Sequence, residues 1–440
     1  MNSNLLRGVR AVIQADSDPA RQVLFDNLSR SHVSVRLAHG LHERLGHGWA
    51  GALFICGYGL ATYLRIAPPR ARGARVLAVA KHANARRQIA RVLSWVGDAD
   101  GASVRTGRRA LGVESVRAFG VLVAGGRIPT AYRIVRRLDA RHGFLVACRV
   151  ADVLAWYARM RAILVRRSPG AVLVSSDAQP EELGCAAAAR ALGVPTVFVS
   201  HAYPTPYLPP LDFSLSILEG EAALDIRRQR GPIRGQVLLA GVEGESAPLD
   251  VGRFEAPNPV VGIFTPKALS WETLSAIVDD CRRHFRARRI LIRWHPSMLE
   301  PPGLSHLLTD PTGVEESPRT ASLADVARQC DWVVAGESSN VHLQVLKLGV
   351  PTVSVKGLGL YPESRADLYG FSAGGIIFPP VASLREIRPD DLRAFFSDCW
   401  RTRFARYDAS YLRPHASIGA EVRRAVRALL DGRTRAGQHG

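Results

Sequence analysis

Two short motifs place residues that can bind anions at the ends of predicted strands. The first motif, RWHP, runs from Arg293 to Pro296 and ends an apolar segment in a histidine followed by a proline. The His295 imidazole can donate to a phosphate oxygen or accept from a sugar hydroxyl, and Arg293 can add positive charge. Pro296 restricts the backbone beside the histidine. The alternative interpretation of His295 is a turn residue that caps nearby carbonyl groups.

The second motif, GESSN at residues 336–340, follows another apolar run and precedes a predicted helix. Ser338 and Ser339 are suited to cap that helix, which would leave other backbone N–H groups free to bind a phosphate. Glu337 could accept hydrogen bonds from ribose hydroxyls or a base edge, and Asn340 completes the turn. Ordinary helix capping is the alternative interpretation of this motif.

The segments around these motifs alternate between short β-branched runs and amphipathic stretches. This alternation predicts a doubly wound parallel sheet, in which ligands bind at the carboxyl ends of the strands. The two motifs would then lie at the same edge of one sheet. The predicted strands are Val260–Pro266, Arg289–Pro296, Asp331–Glu337 and Val350–Val355, with helices after the first strand and at Ser322–Cys330 and Asn340–Leu348.

A second βαβ unit is predicted earlier in the chain. Strands at Ala171–Ser176 and Val194–His201 flank an Ala-rich helix at Glu181–Gly193, and this order requires a parallel sheet covered by helices. The segment Gly241–Pro259 is rich in Gly, Pro and acidic residues and is typical of a linker. The fold class expected is therefore α/β, with two doubly wound, Rossmann-like domains on either side of a cleft.

The expected boundaries are residues 1–245 for the first domain, 246–258 for the linker and 259–395 for the second domain. Residues 396–432 are expected to be helices that return to the first domain, and residues 433–440 a disordered tail. In the first 150 residues, the segments Val9–Asp16 and Ala74–His82 favour early strands, and 82–98 favours a helix. Trp49–Leu64 is apolar but contains three glycines and is shorter than the roughly 20 residues that a membrane-spanning helix needs. It therefore favours a buried strand and turn followed by a helix.

The composition is that of a globular protein with an excess of basic residues. The 440 residues include 58 Lys+Arg against 39 Asp+Glu, a formal charge of +19, carried almost entirely by arginine. Arginine-favouring codon usage explains such an excess, and so does attraction to anionic partners. No zinc-finger spacing or RNP pattern is present, so nucleic acid is not expected as a partner. The six cysteines form no CxxC pair and no signal peptide is visible, which predicts reduced thiols and a cytoplasmic protein.

An HP pair followed by a serine turn resembles the C-terminal half of GT-B glycosyltransferases of the bacterial polysialyltransferase and capsule Kdo-transferase type. CDP-glycerol-type phosphotransferases are similar in layout. The resemblance covers roughly residues 171–380. It implies a GT-B fold and a nucleotide-activated sugar, CMP-linked by analogy, whose phosphate is held by His295 and by Ser338 with Ser339.

A general base is expected from the first domain, because inverting transfer needs a group that takes the acceptor hydroxyl's proton. Asp177 and His201 follow the two strands of the first βαβ unit and are the candidates. Asp177 could equally cap the following helix. His201 is similar to the histidine of a QHG-type segment in the related enzymes, although the sequence here is SHA. The Asp/Glu-Asp/Glu-Gly triplet of some sialyltransferases is not evident.

The sequence therefore predicts an inverting glycosyltransferase that uses a nucleotide sugar, needs no metal or other cofactor, and acts on an acidic or lipid-linked glycan in capsule or envelope assembly. No carboxylate cluster suggests a metal site. The excess of arginine suits an acidic acceptor or peripheral contact with the anionic inner membrane. Alternatives are a CDP-alditol phosphotransferase, a UDP-sugar enzyme such as an epimerase, and a catalytically silent protein that binds polysaccharide.

Overall fold

The computed structural model describes residues 3–16, 33–67, 74–97, 101–106, 127–296, 298, 304, 312–337, 339–360 and 367–436. Within these ranges the chain forms two parallel sheets covered by helices. The expected fold class is confirmed. The strands are β1 Ile66–Ala67, β2 Val76–Val79, β3 Gly101–Thr106, β4 Ala171–Val174, β5 Thr196–Val199, β6 Asp212–Leu218, β7 Arg234–Leu239, β8 Val260–Phe264, β9 Arg289–Arg293, β10 Val314–Glu316, β11 Trp332–Gly336 and β12 Thr352–Val355.

The helices cover both faces of the sheets. In the first domain they are α1 Ser3–Asp16, α2 Val33–Leu45, α3 Trp49–Arg65, α4 Ala83–Val96, α5 Arg127–His142, α6 Phe144–Arg167, α7 Pro180–Ala191 and α8 Glu221–Arg228. In the second domain and the C-terminal segment they are α9 Trp271–Arg283, α10 Leu323–Ala327, α11 Val341–Lys347, α12 Pro389–Phe395, α13 Asp398–Tyr407 and α14 His415–Ala436, with 3₁₀ turns at Val251–Glu255 and Leu384–Glu386. None of the helices described here combines the length and apolar character needed to cross a bilayer.

The first sheet has the order β1-β3-β2-β4-β5-β6-β7, in which only β1 runs antiparallel to its neighbour. The second sheet has the order β10-β9-β8-β11-β12 and is parallel throughout. The strands β4, β5, β8, β11 and β12 are buried along their whole length, as strands covered on both faces must be. In each sheet the carboxyl ends of the parallel strands therefore share one edge.

The last helix, α14, leaves the second domain and packs on the first sheet. Ile418, Val422, Val426 and Leu430 lie at i, i+4, i+8 and i+12 and join a core with residues of β2, β4 and β5. Their spacing gives the helix one continuous apolar stripe. The helix extends to Ala436. The expectation of a disordered tail from residue 433 is therefore wrong for residues 433–436, and the remaining four lie outside the described ranges.

Two other predictions for the first 67 residues are also wrong. Val9–Asp16 belongs to helix α1 rather than a strand, because its apolar residues repeat every three to four positions and pack on α6 and α7. Trp49–Leu64 lies within the single helix α3. Gly59 does not form a turn: a Cβ there would lie 3.1 Å from the Cβ of Ala151. The glycine lets α3 approach α6 closely.

Candidate active site in the interdomain cleft

A cleft of about 1610 Å³ separates the facing edges of the two sheets. Each functional segment in it directly follows a strand, which is where unpaired backbone groups and side chains converge in parallel sheets. The first domain contributes His201 after β5 and Glu219 after β6. The second domain contributes Lys267 after β8, His295 after β9 and the 337–340 turn after β11. The two motifs of the second domain are thus brought to one wall of the cleft, as the sequence predicts.

The wall formed by the second domain is positively charged. Burial lowers the pKa of His295, and the charges of Lys267 and Arg293 lower it further, so the three groups sense one another. The Arg293 guanidinium lies 5.7 Å from the centre of the Phe264 ring. Its own pKa is lowered by burial and then by Arg87, which reaches the cleft from the first domain. Such mutual repulsion is relieved when an anion binds among these groups.

Thr265 holds the backbone of the RWHP motif in place. The Thr265 N–H donates to the Arg293 carbonyl at 3.0 Å, and the His295 N–H donates to Thr265 Oγ1 at 3.0 Å. These bonds tie the end of β9 to the end of β8. Pro296 follows at the exposed rim and also lines the cleft. The histidine is therefore positioned by the sheet rather than by a mobile loop.

The 336–340 turn lines the same wall, with Ser338 outside the described residues. Ser339 Oγ accepts from the Val341 N–H at 3.3 Å. Asn340 holds the N-cap position of α11 without a side-chain capping bond, so Ser339 is not the helix cap that the sequence predicts. Glu337 and Asn340 also line the cleft. The buried Oδ1 of Asn340 has no partner among the described residues. A bound ligand with a hydrogen-bond donor would satisfy it.

His342, which the sequence analysis missed, supports this turn from behind. Its Nε2 donates to the Gly336 carbonyl at 3.1 Å, because a carbonyl can only accept. Nδ1 therefore accepts from the Thr352 hydroxyl at 2.8 Å. Burial lowers the pKa of His342 to about 4, so the ring is neutral at pH 7. The signal in the sequence was only a histidine at the start of a short helix, which many helices carry.

His201 faces the cleft from the first domain in a defined tautomer. Its Nδ1 is hydrogen-bonded to the Ser175 carbonyl, so Nδ1 carries the proton and Nε2 is the basic nitrogen. Burial lowers the pKa of His201, with smaller effects of the Ser175 bond and of Asp177 in the opposite direction. A neutral imidazole with an available Nε2 lone pair has the form that a general base requires.

Asp177, the other predicted base, is placed elsewhere. It is buried in an ion pair with Arg227, whose Nη1 also donates to the Pro209 carbonyl at 3.1 Å. It is not among the residues that line the cleft. It does not cap α7 either, because Gln179 holds that position. The structure thus assigns Asp177 the task of neutralising a buried arginine, and the expectation that it acts as base is not supported by this geometry.

Glu219 is a cleft residue that the sequence analysis missed. It follows β6 directly, is 6% exposed, and its Oε2 has no partner among the described residues. Burial raises the pKa of Glu219 to about 7, with hydrogen bonding and nearby arginines acting in the opposite direction. A carboxyl group that titrates near neutrality is suited to proton transfer. Its only signal in the sequence was an acidic residue after residues 212–218, and the hydrophobic pattern of those residues does not predict a strand.

Unpartnered buried polar atoms recur around the cleft. In addition to Asn340 Oδ1 and Glu219 Oε2, the Tyr203 hydroxyl and Gln88 Oε1 are buried and find no partner in the described part of the chain. All four side chains line the cleft, and they come from both domains. Burying a polar group without a hydrogen bond costs about 1–3 kcal/mol, so a polar ligand that reached these four atoms would remove part of that cost.

Two Rossmann-like sheets that face each other across a cleft, with a last helix returning to the first, define the GT-B architecture. No family model and no curated protein matches the chain. Similar solved structures include the glycosyltransferase of kitacinnamycin, at 13% identity and a TM-score of 0.45 over 82% of this chain and 100% of that one. A UDP-glucosyltransferase from Polygonum tinctorium shows 11% identity and a TM-score of 0.48 over 81% and 98%.

The UDP-GlcNAc 2-epimerase from Neisseria meningitidis, bound to UDP-GlcNAc, is similar to about the same degree. It shows 11% identity and a TM-score of 0.46 over 79% of this chain and 98% of the epimerase. Transferases and an epimerase thus match this chain about equally well.

Proposed function

We propose that this protein is a glycosyltransferase that binds a nucleotide-activated sugar in the cleft and transfers the sugar to a hydroxyl acceptor. One observation carries the proposal: a cationic wall on the second domain faces proton acceptors on the first. Lys267, Arg293 and His295 suit the phosphates of the donor, and His201 and Glu219 suit the acceptor hydroxyl. A transferase needs both kinds of group on opposite sides of one carbon atom.

In the proposed reaction the acceptor oxygen attacks the anomeric carbon as His201 Nε2 or the Glu219 carboxylate takes its proton. The bond from that carbon to the phosphate oxygen breaks, and the electron pair leaves with the nucleotide. Lys267 and Arg293 stabilise the charge that develops on the phosphate, in a site partly shielded from water. Attack from the side opposite the leaving group inverts the anomeric configuration. Because these side chains already supply positive charge, the proposal does not require a metal ion.

The donor proposed is CMP-linked, on the resemblance of the HP and serine motifs. The acceptor proposed is an acidic or lipid-linked glycan of the cell envelope, because the chain carries a formal charge of +19. A CDP-alditol phosphotransferase or a UDP-sugar enzyme would use the same cationic wall. A silent polysaccharide-binding protein would not need two groups poised for proton transfer, and the raised pKa of Glu219 favours an enzyme over that alternative.

The proposal is tested by a thermal-shift screen with CMP, CDP, UDP, GDP and ADP. A ligand at 100 times its Kd stabilises the folded state by about 2.7 kcal/mol, which gives a clear rise in Tm. We expect a shift with CMP or CDP that His295→Ala abolishes. The matched control is His284→Ala, which removes an exposed histidine of the same domain that does not line the cleft.

The result with each nucleotide has a defined meaning. A shift with UDP alone would retain the nucleotide-sugar site and replace the proposed donor. A shift with no nucleotide would contradict the proposed function and leave the silent binding protein as the better explanation. An equal loss of the shift in both histidine variants would indicate that His295 acts through general stability rather than through contact with the ligand.

A further inference from the structure

Helices α2, α3 and α5 form an outer layer of the first domain. Helix α7 lies on the sheet, α6 packs on α7, and α3 and α5 pack on α6, with α2 against α3. The outer layer is held together by Asp139 of α5, which accepts hydrogen bonds from His42 Nε2 at 2.9 Å and from His47 Nδ1 at 3.2 Å. The three helices therefore form one unit, two layers removed from the sheet that shapes the cleft.

This layer exposes an unusual amount of apolar surface. Val33, Leu37, Leu41 and Leu45 repeat every four residues and lie along one side of α2, with exposures of 38–67%. Trp49, at 68%, continues the surface into α3. Eight of the eleven large apolar side chains that are exposed in the described ranges lie on these helices, and such clustering marks a contact surface. The eight are Val33, Leu37, Leu41, Leu45, Trp49, Leu53, Tyr58 and Ile128.

The same layer carries unbalanced positive charge. Its seven exposed arginines form no ion pair with any residue that the structure describes. The acidic residues of the three helices are Glu43, which lies 3.6 Å from His39, and the buried Asp139. An apolar stripe beside arginines without acidic partners is the pattern of helices that lie in the headgroup region of an anionic bilayer. The arginines are Arg36, Arg44, Arg65, Arg133, Arg136, Arg137 and Arg141.

We propose that α2, α3 and α5 form a lipid-docking face. The side chains from Val33 to Leu53 on α2 and α3 enter the boundary between headgroups and acyl chains, and the arginines contact lipid phosphates. A second copy of the chain is a poorer occupant of this face. In a two-fold symmetric contact each surface meets itself, so the arginines of both copies would be brought together without acidic partners.

This docking face is connected to the acceptor side of the cleft. The Tyr58 hydroxyl donates to Asp152 at 3.0 Å. Burial raises the pKa of Asp152 to about 6, and the charges of Glu181 and Lys81, which form an ion pair at 2.9 Å, have smaller and opposite effects on it. Lys81 precedes His82, which lines the cleft. The inference deepens the proposed function by making the acceptor a lipid-linked glycan that is reached from the membrane side. This statement about the acceptor rests on the proposed function. The lipid-docking face itself is carried by exposure and charge alone.

Vesicle flotation of the full chain tests the proposal. The probes are vesicles of phosphatidylcholine alone and of phosphatidylcholine mixed with phosphatidylglycerol. We expect binding to the mixed vesicles that weakens with salt. Arg133→Ala/Arg137→Ala should lower the partition coefficient about thirtyfold, at about fivefold for each arginine near an anionic surface. Leu37→Asp/Leu41→Asp should abolish binding.

Matched controls separate this surface from general charge and hydrophobicity. Arg230→Ala/Arg424→Ala removes two exposed arginines elsewhere, and Val165→Asp alters a side chain that is 64% exposed at the end of α6. Both should bind vesicles like the unaltered chain. All substituted residues are exposed, so the variants should keep the Tm and circular dichroism of the original. Equal losses in the controls and in the docking-face variants would overturn the proposal.

The outcomes also separate the proposal from the proposed function. Absence of flotation together with an intact nucleotide shift would refute the lipid-docking face and leave the transferase site standing. Flotation without any nucleotide shift would support the face and contradict the function. A dimer seen by light scattering that Leu37→Asp/Leu41→Asp dissociates, in a chain that does not float, would show that a second copy covers the surface and would overturn the proposal.

Discussion

The substitution Lys347→Met should destabilise the protein strongly, because Lys347 joins three parts of the chain. The residue belongs to α11 in the second domain and is only 1% exposed. Its Nζ donates to the Val242 carbonyl at 2.6 Å, to Ser410 Oγ at 2.6 Å, and lies 3.1 Å from Asp408 Oδ2. Val242 lies in the connection between the domains, and Asp408 and Ser410 in the segment that leads back to the first domain.

The expected magnitude follows from the burial of Asp408, which is 0% exposed. Without Lys347 the carboxylate keeps hydrogen bonds from the Val242 N–H at 3.0 Å and from Ser410, but loses its only close positive partner among the described residues. Leaving one partner of a buried ion pair uncompensated costs about 3–5 kcal/mol. For a domain of roughly 200 residues this corresponds to a fall in Tm of about 10 °C.

Chemical and thermal unfolding monitored by circular dichroism measure the effect. The double variant Lys347→Met/Asp408→Asn should recover part of the lost stability, because it removes the uncompensated charge. Lys356→Met is the matched control: this lysine is exposed, and its loss should change stability by less than about 0.5 kcal/mol. A cost below about 1 kcal/mol for Lys347→Met, or no recovery in the double variant, would refute this account of how the domains are joined.

Two pH effects should also be measurable. The pKa of His342 is lowered to about 4, so between pH 6.5 and pH 4 the unfolded chain binds a proton that the folded chain excludes. The folded state should therefore lose about 3 kcal/mol of stability as the pH falls from 6.5 to 4. Unfolding free energies of His342→Gln should lack this loss, and an unchanged pH dependence would contradict it. If Glu219 is the base, kcat/KM should fall about tenfold from pH 8 to pH 6. If His201 is the base, kcat/KM should fall less than about fourfold over the same range, because the pKa of His201 lies below 6.5. If kcat/KM of Glu219→Gln still fell tenfold over this pH range, Glu219 would be excluded as the base.

The second domain could be predicted from the sequence almost element by element. Its strands β8, β9, β11 and β12 are short β-branched runs separated by amphipathic helices, and burial on both faces makes such runs continuous. The linker prediction was less complete. Within the linker, Phe254 is buried, and the centre of its ring lies 5.6 Å from the centre of the Trp332 ring. The linker therefore packs on the second domain. A single buried aromatic side chain gives no periodic signal.

The first domain was harder to predict because its outer helices do not follow the usual pattern. Helix α3 buries Ile55 and Tyr63 together with two glycines, and it also exposes apolar side chains, so apolar residues do not mark a single face of the helix. Gly184 of α7 has the same role as Gly59: a Cβ there would lie 2.6 Å from the Cβ of Trp156. Close contact between helices explains both glycines. For Gly59 the sequence alone suggests a turn instead, because it does not show the partner helix.

The candidate site was predictable where residues directly follow strong strands, as for His201 and His295. Residues that depend on distant partners were not. Whether Asp177 is a base or an ion-pair partner depends on Arg227, fifty positions later, whose guanidinium is buried over the Phe198 ring. Glu219 was missed because β6 mixes polar and apolar residues in an irregular pattern. Contacts across the fold decide these roles, and local spacing does not report them.

The two proton acceptors of the cleft differ in a way that assigns their tasks. Burial acts on both, but it favours the neutral form of each, so it lowers the pKa of His201 and raises that of Glu219. At neutral pH His201 is then a competent base, while Glu219 is about half protonated and able to accept or donate. Both lie opposite the positive charges of Lys267 and Arg293. In the proposed reaction the proton is therefore taken on one side of the cleft while the departing phosphate is stabilised on the other.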